Sequence, residues 1–299
     1  MDLSFLKGIY VPILIPVKEN EEVDVEKLRE HVNYIIDKGV HGILAHGSNG
    51  EFYMFDDEDY ELIVRTIVEE TKSRVPVLMG IGAIRTSKAI KLAKLGERLG
   101  VDGLSLLQPM FLKPTDEELF LYFKEIADSV PNLPVLLYNN PRVGYTMSGD
   151  LVERLAREVP NIKGMKDSSG DINQLMEFIR RTRDLEFKVF GGKDTMIYAS
   201  LTVGGVGSVC STANMFPEIV TAIYNEFAAG NLKESLELQY RFNPVRIAQD
   251  KASFPVATKD MANILGLKVG KPVKPSLPSK ENLVEFFKKK IEEAGLLKK

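Results

Sequence analysis

Eight short apolar runs alternate with longer amphipathic stretches along this chain, repeating about every 28 residues. The runs are short and mostly rich in Val, Ile or Leu, and all but the first end in Gly, Pro, Asn or Ser, which is typical of buried parallel strands. The predicted strands are residues 10–17, 42–47, 75–82, 102–109, 134–140, 162–168, 187–192 and 206–211. The stretches between them have the i, i+3, i+4 spacing of amphipathic helices.

This even alternation predicts a closed (β/α)8 barrel, with an open doubly wound sheet as the competing α/β fold. No G-x-G-x-x-G motif follows the first strand, which counts against the open sheet. We predict that the barrel occupies residues 1–231. From residue 232 the alternation stops, and we predict that residues 232–299 form a helical extension packed on the barrel.

Composition narrows the class of protein. The net charge of −3 gives no general attraction for nucleic acid or for an anionic membrane. The single cysteine, Cys210, lies among small and apolar residues and is predicted to be core. We see no signal peptide and no apolar stretch long enough to span a membrane. A cytoplasmic protein that acts on a small molecule is the expectation.

Lys166, in the stretch N-I-K-G-M-K-D-S-S-G-D, is the most informative candidate because it lies at the end of a predicted buried strand. By strand alternation, Ile162, Gly164 and Lys166 share one face. If that face points into the barrel, desolvation favours the neutral amine, which attacks carbonyls and forms a Schiff base. From position alone, a structural lysine paired with Asp167 or a neighbouring acid is an equal alternative.

Tyr138 lies near the end of the preceding predicted strand. Corresponding residues on neighbouring parallel strands are about 5 Å apart. A phenol there could carry protons to and from a substrate held on Lys166. The alternative is a buried tyrosine whose hydroxyl only satisfies a backbone carbonyl.

The turn G-S-N-G-E after strand 2 supplies the third element. Gly47 and Gly50 allow a tight turn whose backbone N–H groups could bind an anion, and Ser48 and Asn49 add side-chain donors. The carboxylate of a 2-oxo acid fits such a site. A plain strand–helix turn is the alternative.

Together the ordered motifs G-S-N-G-E, Y-N-N-P and G-M-K-D-S-S-G-D resemble the N-acetylneuraminate lyase / dihydrodipicolinate synthase superfamily over nearly the whole chain. The resemblance implies that Lys166 forms a Schiff base with pyruvate or another 2-oxo acid. It implies that Tyr138 is the general acid and base and that Gly47, Ser48 and Asn49 hold the carboxylate. It also implies no metal, no other cofactor, and a homotetramer built as a dimer of dimers.

Some residues depart from the dihydrodipicolinate synthase pattern. Those enzymes usually carry a tyrosine after strand 4 that joins a proton relay in a neighbouring subunit, and Phe111 occupies that place. Ser48 and Asn49 replace a Thr-Thr pair. Arg142 could bind a substrate carboxylate, although its loop is one residue shorter than in those enzymes.

Other residues depart from the N-acetylneuraminate lyase pattern. Those lyases carry Asp-Glu after the strand-7 glycine, whereas here Gly192 is followed by Asp194 and then Thr195. Ser168 replaces a threonine of those lyases, and Ser208 matches one of their serines. These groups would still offer polar contacts to a hydroxylated substrate.

We therefore predict a carbon–carbon lyase that reversibly cleaves a 2-keto-3-deoxy sugar acid, or a 4-hydroxy-2-oxo acid, to pyruvate or glyoxylate-type products. The alternative within the superfamily is dihydrodipicolinate synthase, which condenses pyruvate with aspartate semialdehyde. The alternatives from other classes are a barrel that binds phosphate or flavin mononucleotide beside Gly191 and Gly192, and a non-catalytic sensor of 2-oxo acids.

Overall fold

The structure is a computed structural model that describes residues 1–297. Eight parallel strands close into a barrel in sequence order, with β1 paired to both β2 and β8. This confirms the predicted (β/α)8 fold. The strands are β1 Gly8–Pro12, β2 Gly42–Ala45, β3 Val77–Ile81, β4 Gly103–Leu107, β5 Val135–Asn139, β6 Ile162–Asp167, β7 Lys188–Gly191 and β8 Gly207–Val209.

One α-helix follows each strand and covers the outside of the barrel. The helices are α1 Val25–Asp37, α2 Asp57–Thr71, α3 Thr86–Leu99, α4 Asp116–Asp128, α5 Gly149–Glu158, α6 Ile172–Thr182, α7 Ile197–Thr202 and α8 Pro217–Ala228. Side-chain caps fix several of the starts. Thr115 and Glu118 form a reciprocal capping box at the start of α4, and Asp24 accepts the amide of Lys27 at the start of α1.

Three further helices follow the barrel: α9 Leu232–Ala248, α10 Val256–Ile264 and α11 Glu281–Glu293. Phe242 and Val245 of α9, and Phe287 and Ile291 of α11, are fully buried in the main apolar cluster. Within residues 1–297, no helix combines the length and apolarity needed to cross a bilayer. The domain boundary at residue 232 stays a prediction, and the last two residues of the predicted extension, 298 and 299, lie outside the described residues.

The strands are shorter than predicted, most clearly at β1. The predicted first strand was 10–17, whereas β1 begins at Gly8 and ends at Pro12. Beyond it the backbone partners change, because the amide of Leu14 donates to the side chain of Asn214 at 2.9 Å. The apolar residues up to Val17 continue as a buried loop at the carboxyl end of the barrel.

Three apolar clusters make up the core of the described residues. The largest lies between the strands and the helices, a second fills the barrel interior, and a small third one consists of Phe52, Leu107 and Tyr138. The inner cluster consists of Leu3, Leu6, Tyr10, Leu44, Leu78, Leu136, Phe190 and Val209. These apolar side chains fill the inside of the barrel below the carboxyl ends of the strands. The polar side chains of the candidate site therefore lie at the carboxyl ends.

A register shift in β6 corrects one prediction about strand faces. Val135 pairs with Ile162, but the next residue, Leu136, pairs with Gly164, so one residue of β6 is extra. Ile162 consequently packs with Val135 in the outer cluster. Gly164 and Lys166 share the inner face, as predicted, whereas the prediction that Ile162 joins them is wrong.

Candidate active site

Lys166 and Tyr138 are directly paired at the carboxyl ends of β6 and β5. Both side chains are buried, and only 6% of Lys166 is exposed. The Nζ atom of Lys166 lies 4.2 Å from the centroid of the Tyr138 ring. The pairing predicted from their places on neighbouring strands therefore produces a close amine–phenol contact inside the barrel.

The hydroxyl of Tyr138 is surrounded by polar groups. Asn140 Nδ2 donates to it at 3.1 Å, and Ser48, Ser168 and Lys166 also hydrogen-bond to it. Burial by itself raises the pKa of this phenol, but the Lys166 charge and the hydrogen bonds with Ser168, Ser48 and Lys166 together outweigh burial. The pKa of Tyr138 consequently lies below its ordinary value of 10.0.

Asp167 follows Lys166 on the opposite face of the strand and is not its partner. Asp167 Oδ1 accepts from Asn139 Nδ2 at 2.7 Å, and Oδ2 accepts from the Ser169 hydroxyl at 2.6 Å. Within residues 1–297, no carboxylate forms an ion pair with Lys166. The alternative of a structural Lys166–Asp167 pair is therefore wrong, because Asp167 is occupied with organising the β6 loop.

The G-S-N-G-E turn forms a short 3₁₀ helix, Ser48–Gly50, followed by Glu51 in the left-handed region at φ 53°. The amides of Gly50 and Glu51 bond back to the carbonyls of Gly47 and Ser48. The amides that open such a turn have no partner inside it. The Ser48 and Asn49 amides are thus the two that the turn offers to an anion.

Asn49 also has a structural contact. Its Oδ1 accepts from the Thr258 hydroxyl of α10 at 3.3 Å. Ser48, in contrast, directs its hydroxyl to Tyr138. The sequence predicted the same role for both residues, but their side chains have different contacts. Ser48 contacts Tyr138, whereas Asn49 contacts the C-terminal extension.

Sequence reasoning missed the role of Glu51. Its carboxylate is fully buried and forms an ion pair with the equally buried Lys259 of α10 at 2.6 Å. Glu51 Oε1 also accepts the amide of Val273 at 2.9 Å, and Lys259 Nζ donates to the carbonyl of Lys271 at 3.0 Å. These contacts fix the turn to the C-terminal extension. In the sequence, the glutamate of the G-S-N-G-E motif was the only indication of this connection.

The remaining predicted contacts lie at the ends of β6, β7 and β8. The Ser168 hydroxyl donates to the Gly192 carbonyl at 3.3 Å, and the Ser208 hydroxyl donates to the Gly191 carbonyl at 2.9 Å. Ser168 reaches Tyr138, so it is close to the reacting pair. Ser208 is fully buried and is held by the strand beside it.

Asp194 has a clear structural role. Its Oδ2 accepts from the Ser211 hydroxyl at 3.1 Å, the Thr212 amide at 2.8 Å and the Thr212 hydroxyl at 2.6 Å. These bonds tie the loop after β7 to the loop after β8. Contact with a substrate hydroxyl through Asp194 stays a prediction.

Arg142 lies in the 3₁₀ turn Pro141–Val143 after β5 and is exposed. Its guanidinium stacks over the ring of Phe254 at 4.2 Å from the centroid. Both residues line a cavity of about 260 Å³ at the carboxyl end of the barrel. Arg142 therefore faces an opening large enough for a small molecule.

His46 and Cys210 are buried beside the site without a catalytic geometry. His46 stacks on Tyr60 with ring centroids 3.5 Å apart, and burial lowers its pKa to about 3. Burial raises the pKa of the Cys210 thiol. Within residues 1–297, no cluster of three or more His, Cys, Asp or Glu side chains is arranged to hold a metal ion.

Comparison with known proteins agrees with this geometry. Residues 5–294 match the model of the dihydrodipicolinate synthetase family. A 4-hydroxy-tetrahydrodipicolinate synthase from Methanoculleus marisnigri is 36% identical over 267 residues, which are 88% of this chain and 91% of that protein.

Solved structures are similar over the whole fold. A dihydrodipicolinate synthase from Acinetobacter baumannii, complexed with pyruvate, has a TM-score of 0.93 at 29% identity and covers 97% of this chain and 99% of its own. A monomeric dihydrodipicolinate synthase variant has a TM-score of 0.94 at 28% identity and covers 99% of this chain and 100% of its own.

Enzymes of this family are carbon–carbon lyases that use a Schiff base between pyruvate and a lysine and need no cofactor. The resemblance found in the sequence motifs is thereby confirmed. The chain belongs to the dihydrodipicolinate synthetase family and is a class I pyruvate-dependent aldolase.

Proposed function

We propose that Lys166 is the lysine that forms the Schiff base with pyruvate and that Tyr138 transfers the protons. The direct pairing of Lys166 and Tyr138, with Nζ 4.2 Å from the phenol ring, is the observation that carries this assignment. The absence of an ion-pair partner for Lys166 within residues 1–297 supports it, because no carboxylate holds the amine away from a substrate.

The reaction then follows from the positions of these groups. Neutral Nζ attacks C2 of pyruvate and forms a C–N bond, and the former carbonyl oxygen leaves as water with a proton from Tyr138. Loss of a C3 proton gives an enamine, whose C3 forms a C–C bond to the carbonyl carbon of an aldehyde. The resulting alkoxide takes up a proton, and in the aldolase reaction water finally hydrolyses the Schiff base and frees Lys166.

The lowered pKa of Tyr138 suits this role, because a phenol releases and regains a proton more readily near neutral pH when its pKa is lowered. The Ser48 and Asn49 amides would bind the pyruvate carboxylate, with Gly47 leading into the turn. Ser48 would link the carboxylate site to Tyr138 through its hydroxyl.

For the aldehyde, condensation with aspartate semialdehyde is the first candidate, because the curated relatives that match this chain are named 4-hydroxy-tetrahydrodipicolinate synthase. This reverses the order expected from sequence, which placed cleavage of a 2-keto-3-deoxy sugar acid or a 4-hydroxy-2-oxo acid first. That cleavage is the second candidate, because Phe111 has no hydroxyl to extend a proton relay beyond Ser48.

The test is reduction of a pyruvate–enzyme mixture with borohydride, followed by intact mass measurement. We expect one pyruvate-derived adduct per chain in the wild type and none in Lys166→Met. Rates with aspartate semialdehyde, glyoxylate and glyceraldehyde then rank the acceptors. An unmodified wild-type protein, under conditions that label a known class I aldolase, would contradict the proposed function.

We also propose that a second copy of the chain covers Phe111, as in the expected homotetramer. Phe111 is 93% exposed, and φ of 71° places it in the left-handed region that a phenylalanine rarely adopts. The neighbouring Leu112 is half exposed. Sedimentation velocity of the wild type and of Phe111→Asp should show a larger assembly only for the wild type, and two equal monomers would contradict the proposal. A cytoplasmic location without nucleic-acid or membrane partners stays a prediction.

A further inference from the structure

Helix α10 of the C-terminal extension contacts the G-S-N-G-E turn through two consecutive side chains. The Thr258 hydroxyl donates to Asn49 Oδ1 at 3.3 Å, and the Lys259 amine forms an ion pair with Glu51 at 2.6 Å. All four residues are buried. Because Asn49 and Glu51 flank Gly50, the helix contacts the turn on both sides of its second glycine.

The turn has a backbone conformation that contacts from elsewhere in the fold help to hold. Glu51 has a φ of 53°, in the left-handed region that a residue with a side chain rarely adopts. Gly50 packs closely against the loop after β1, since a Cβ placed on it would lie 2.8 Å from the carbonyl oxygen of Ile13. The loop after β1 and α10 thus both pack against the turn.

Helix α10 is itself fixed by contacts that do not involve the turn. Asp260 Oδ2 accepts the amide of Ser279 at 3.1 Å. Asn263 Nδ2 donates to the carbonyl of Gly270 at 2.9 Å. These bonds tie the helix to the segment that follows it, so α10 can serve as a firm support for the turn.

The ion pair also controls the charge beside the turn. Glu51 directly follows the turn whose amides bind an anion in the proposed function, and its carboxylate is fully buried. An unpaired buried carboxylate there would repel the carboxylate of a substrate. Lys259 is the cation that forms an ion pair with Glu51 within residues 1–297, so it removes this repulsion.

We propose that Thr258 and Lys259 of α10 are positioning residues for the pyruvate carboxylate. Through their contacts with Asn49 and Glu51, they hold the backbone amides of the turn where the carboxylate binds. This inference rests on the proposed function, which assigns the pyruvate carboxylate to that turn. The C-terminal extension would then set the affinity for pyruvate without taking part in the covalent steps.

The experiment compares pyruvate with acetaldehyde, which has a hydrogen in place of the carboxylate. Each compound is titrated into the full-length protein and reduced with borohydride, and the modified fraction of Lys166 is measured on its peptide by mass spectrometry. The concentration that gives half-maximal modification reports the affinity. A loss of carboxylate positioning changes this concentration for pyruvate alone, whereas general damage to the fold changes it for both compounds.

The variants separate the two contacts of α10 with the turn. Thr258→Val removes the hydroxyl at nearly constant shape, and Thr258→Ser keeps it. The double variant Lys259→Met with Glu51→Gln removes the ion pair without leaving a buried charge unpaired. Asn263→Ala is the matched control, because Asn263 lies on the same helix but its side chain bonds to other residues of the extension.

We expect the half-maximal pyruvate concentration to rise by about two- to tenfold in Thr258→Val, which loses one hydrogen bond. In the double variant it should rise by about tenfold or more, since a charged pair is lost. Thr258→Ser should recover most of the affinity, and Asn263→Ala should behave as wild type. The half-maximal concentration of acetaldehyde should be the same in every variant.

Equal shifts for pyruvate and acetaldehyde, or the same pyruvate shift in Asn263→Ala as in Thr258→Val, would overturn the inference. If the double variant does not fold, Thr258→Val still decides, because it leaves the ion pair in place. Normal labelling of Lys166 in wild type, with no pyruvate shift in Thr258→Val, would reject the positioning role alone. A wild type in which pyruvate does not modify Lys166 would reject the proposed function and this inference with it.

Discussion

Lys166 and Lys259 are both buried lysines at the carboxyl end of the barrel, but their surroundings are opposite. Lys259 is fully buried, paired with Glu51 at 2.6 Å and bonded to the carbonyl of Lys271. Lys166 is 6% exposed, faces a phenol and has no carboxylate partner within residues 1–297. Burial is common to both lysines, so the carboxylate partner is what distinguishes their surroundings.

The consequences of this difference appear in what each lysine holds together. Lys259 connects the G-S-N-G-E turn to α10 and to the segment near Lys271, so its charge organises the structure. Lys166 connects nothing outside the barrel interior. The two lysines therefore differ in their partners, because Lys259 holds a carboxylate and a carbonyl whereas Lys166 faces the Tyr138 ring.

Replacing Lys166 should give the largest effect on activity. Lys166→Met removes the nucleophile while keeping an unbranched side chain of similar volume, so we expect the condensation rate to fall by at least about 10³-fold. Stability should not fall, because a buried amine is costly to desolvate. Initial rates and a urea unfolding curve measure both, and a variant with more than a tenth of the wild-type rate would remove Lys166 from the mechanism.

Tyr138→Phe should have the second-largest effect. The phenol contributes proton transfer, which is worth about 10²–10⁴-fold in rate. Borohydride trapping at equilibrium should still label Lys166, since the amine remains. Rapid-quench measurement of adduct formation separates the two effects. Unchanged kinetics would mean that the tyrosine only packs against the lysine.

Unlike Lys166→Met, Lys259→Met should mainly lower the stability of the fold. It leaves the Glu51 carboxylate buried without its cation, which costs about 3–5 kcal/mol in the free energy of unfolding. The double variant with Glu51→Gln should recover part of that loss. Urea unfolding of both variants provides the measurement, and equal stability of Lys259→Met and wild type would end the distinction between the two lysines.

Ser168→Ala should produce the smallest change, in the pH profile. The Ser168 hydroxyl helps to lower the pKa of Tyr138, so its removal raises that pKa. The phenol then stays protonated to higher pH, and the limb of the kcat profile that reports its ionisation should move upward. The rate at the optimum should fall by about tenfold or less. A shift to lower pH would contradict the assigned hydrogen bond.

The sequence was sufficient for the barrel and for the contact between Lys166 and Tyr138. Strand periodicity and equal spacing fix which residues meet on neighbouring strands, and both are local properties of the chain. The extra residue of β6 was not predictable in this way, because it depends on how β5 and β6 pair. It moved Ile162 to the outside of the barrel and left Lys166 inside.

Contacts between residues that are distant in the sequence were also not predictable. Glu51 is visible in its motif, but nothing in the sequence links it to Lys259, which folding brings to it from the extension. Asp194 illustrates the opposite case. It matches the N-acetylneuraminate lyase pattern in sequence, but in the structure its carboxylate is hydrogen-bonded to Ser211 and Thr212.

The measurement that tests the central claim most directly is peptide mapping of the borohydride-reduced pyruvate adduct. The account predicts modification of Lys166 and none of Lys259, because among the lysines of residues 1–297 only Lys166 combines burial with the lack of an ion-pair partner. An adduct on Lys259, or one spread over surface lysines with Lys166 unmodified, would contradict it.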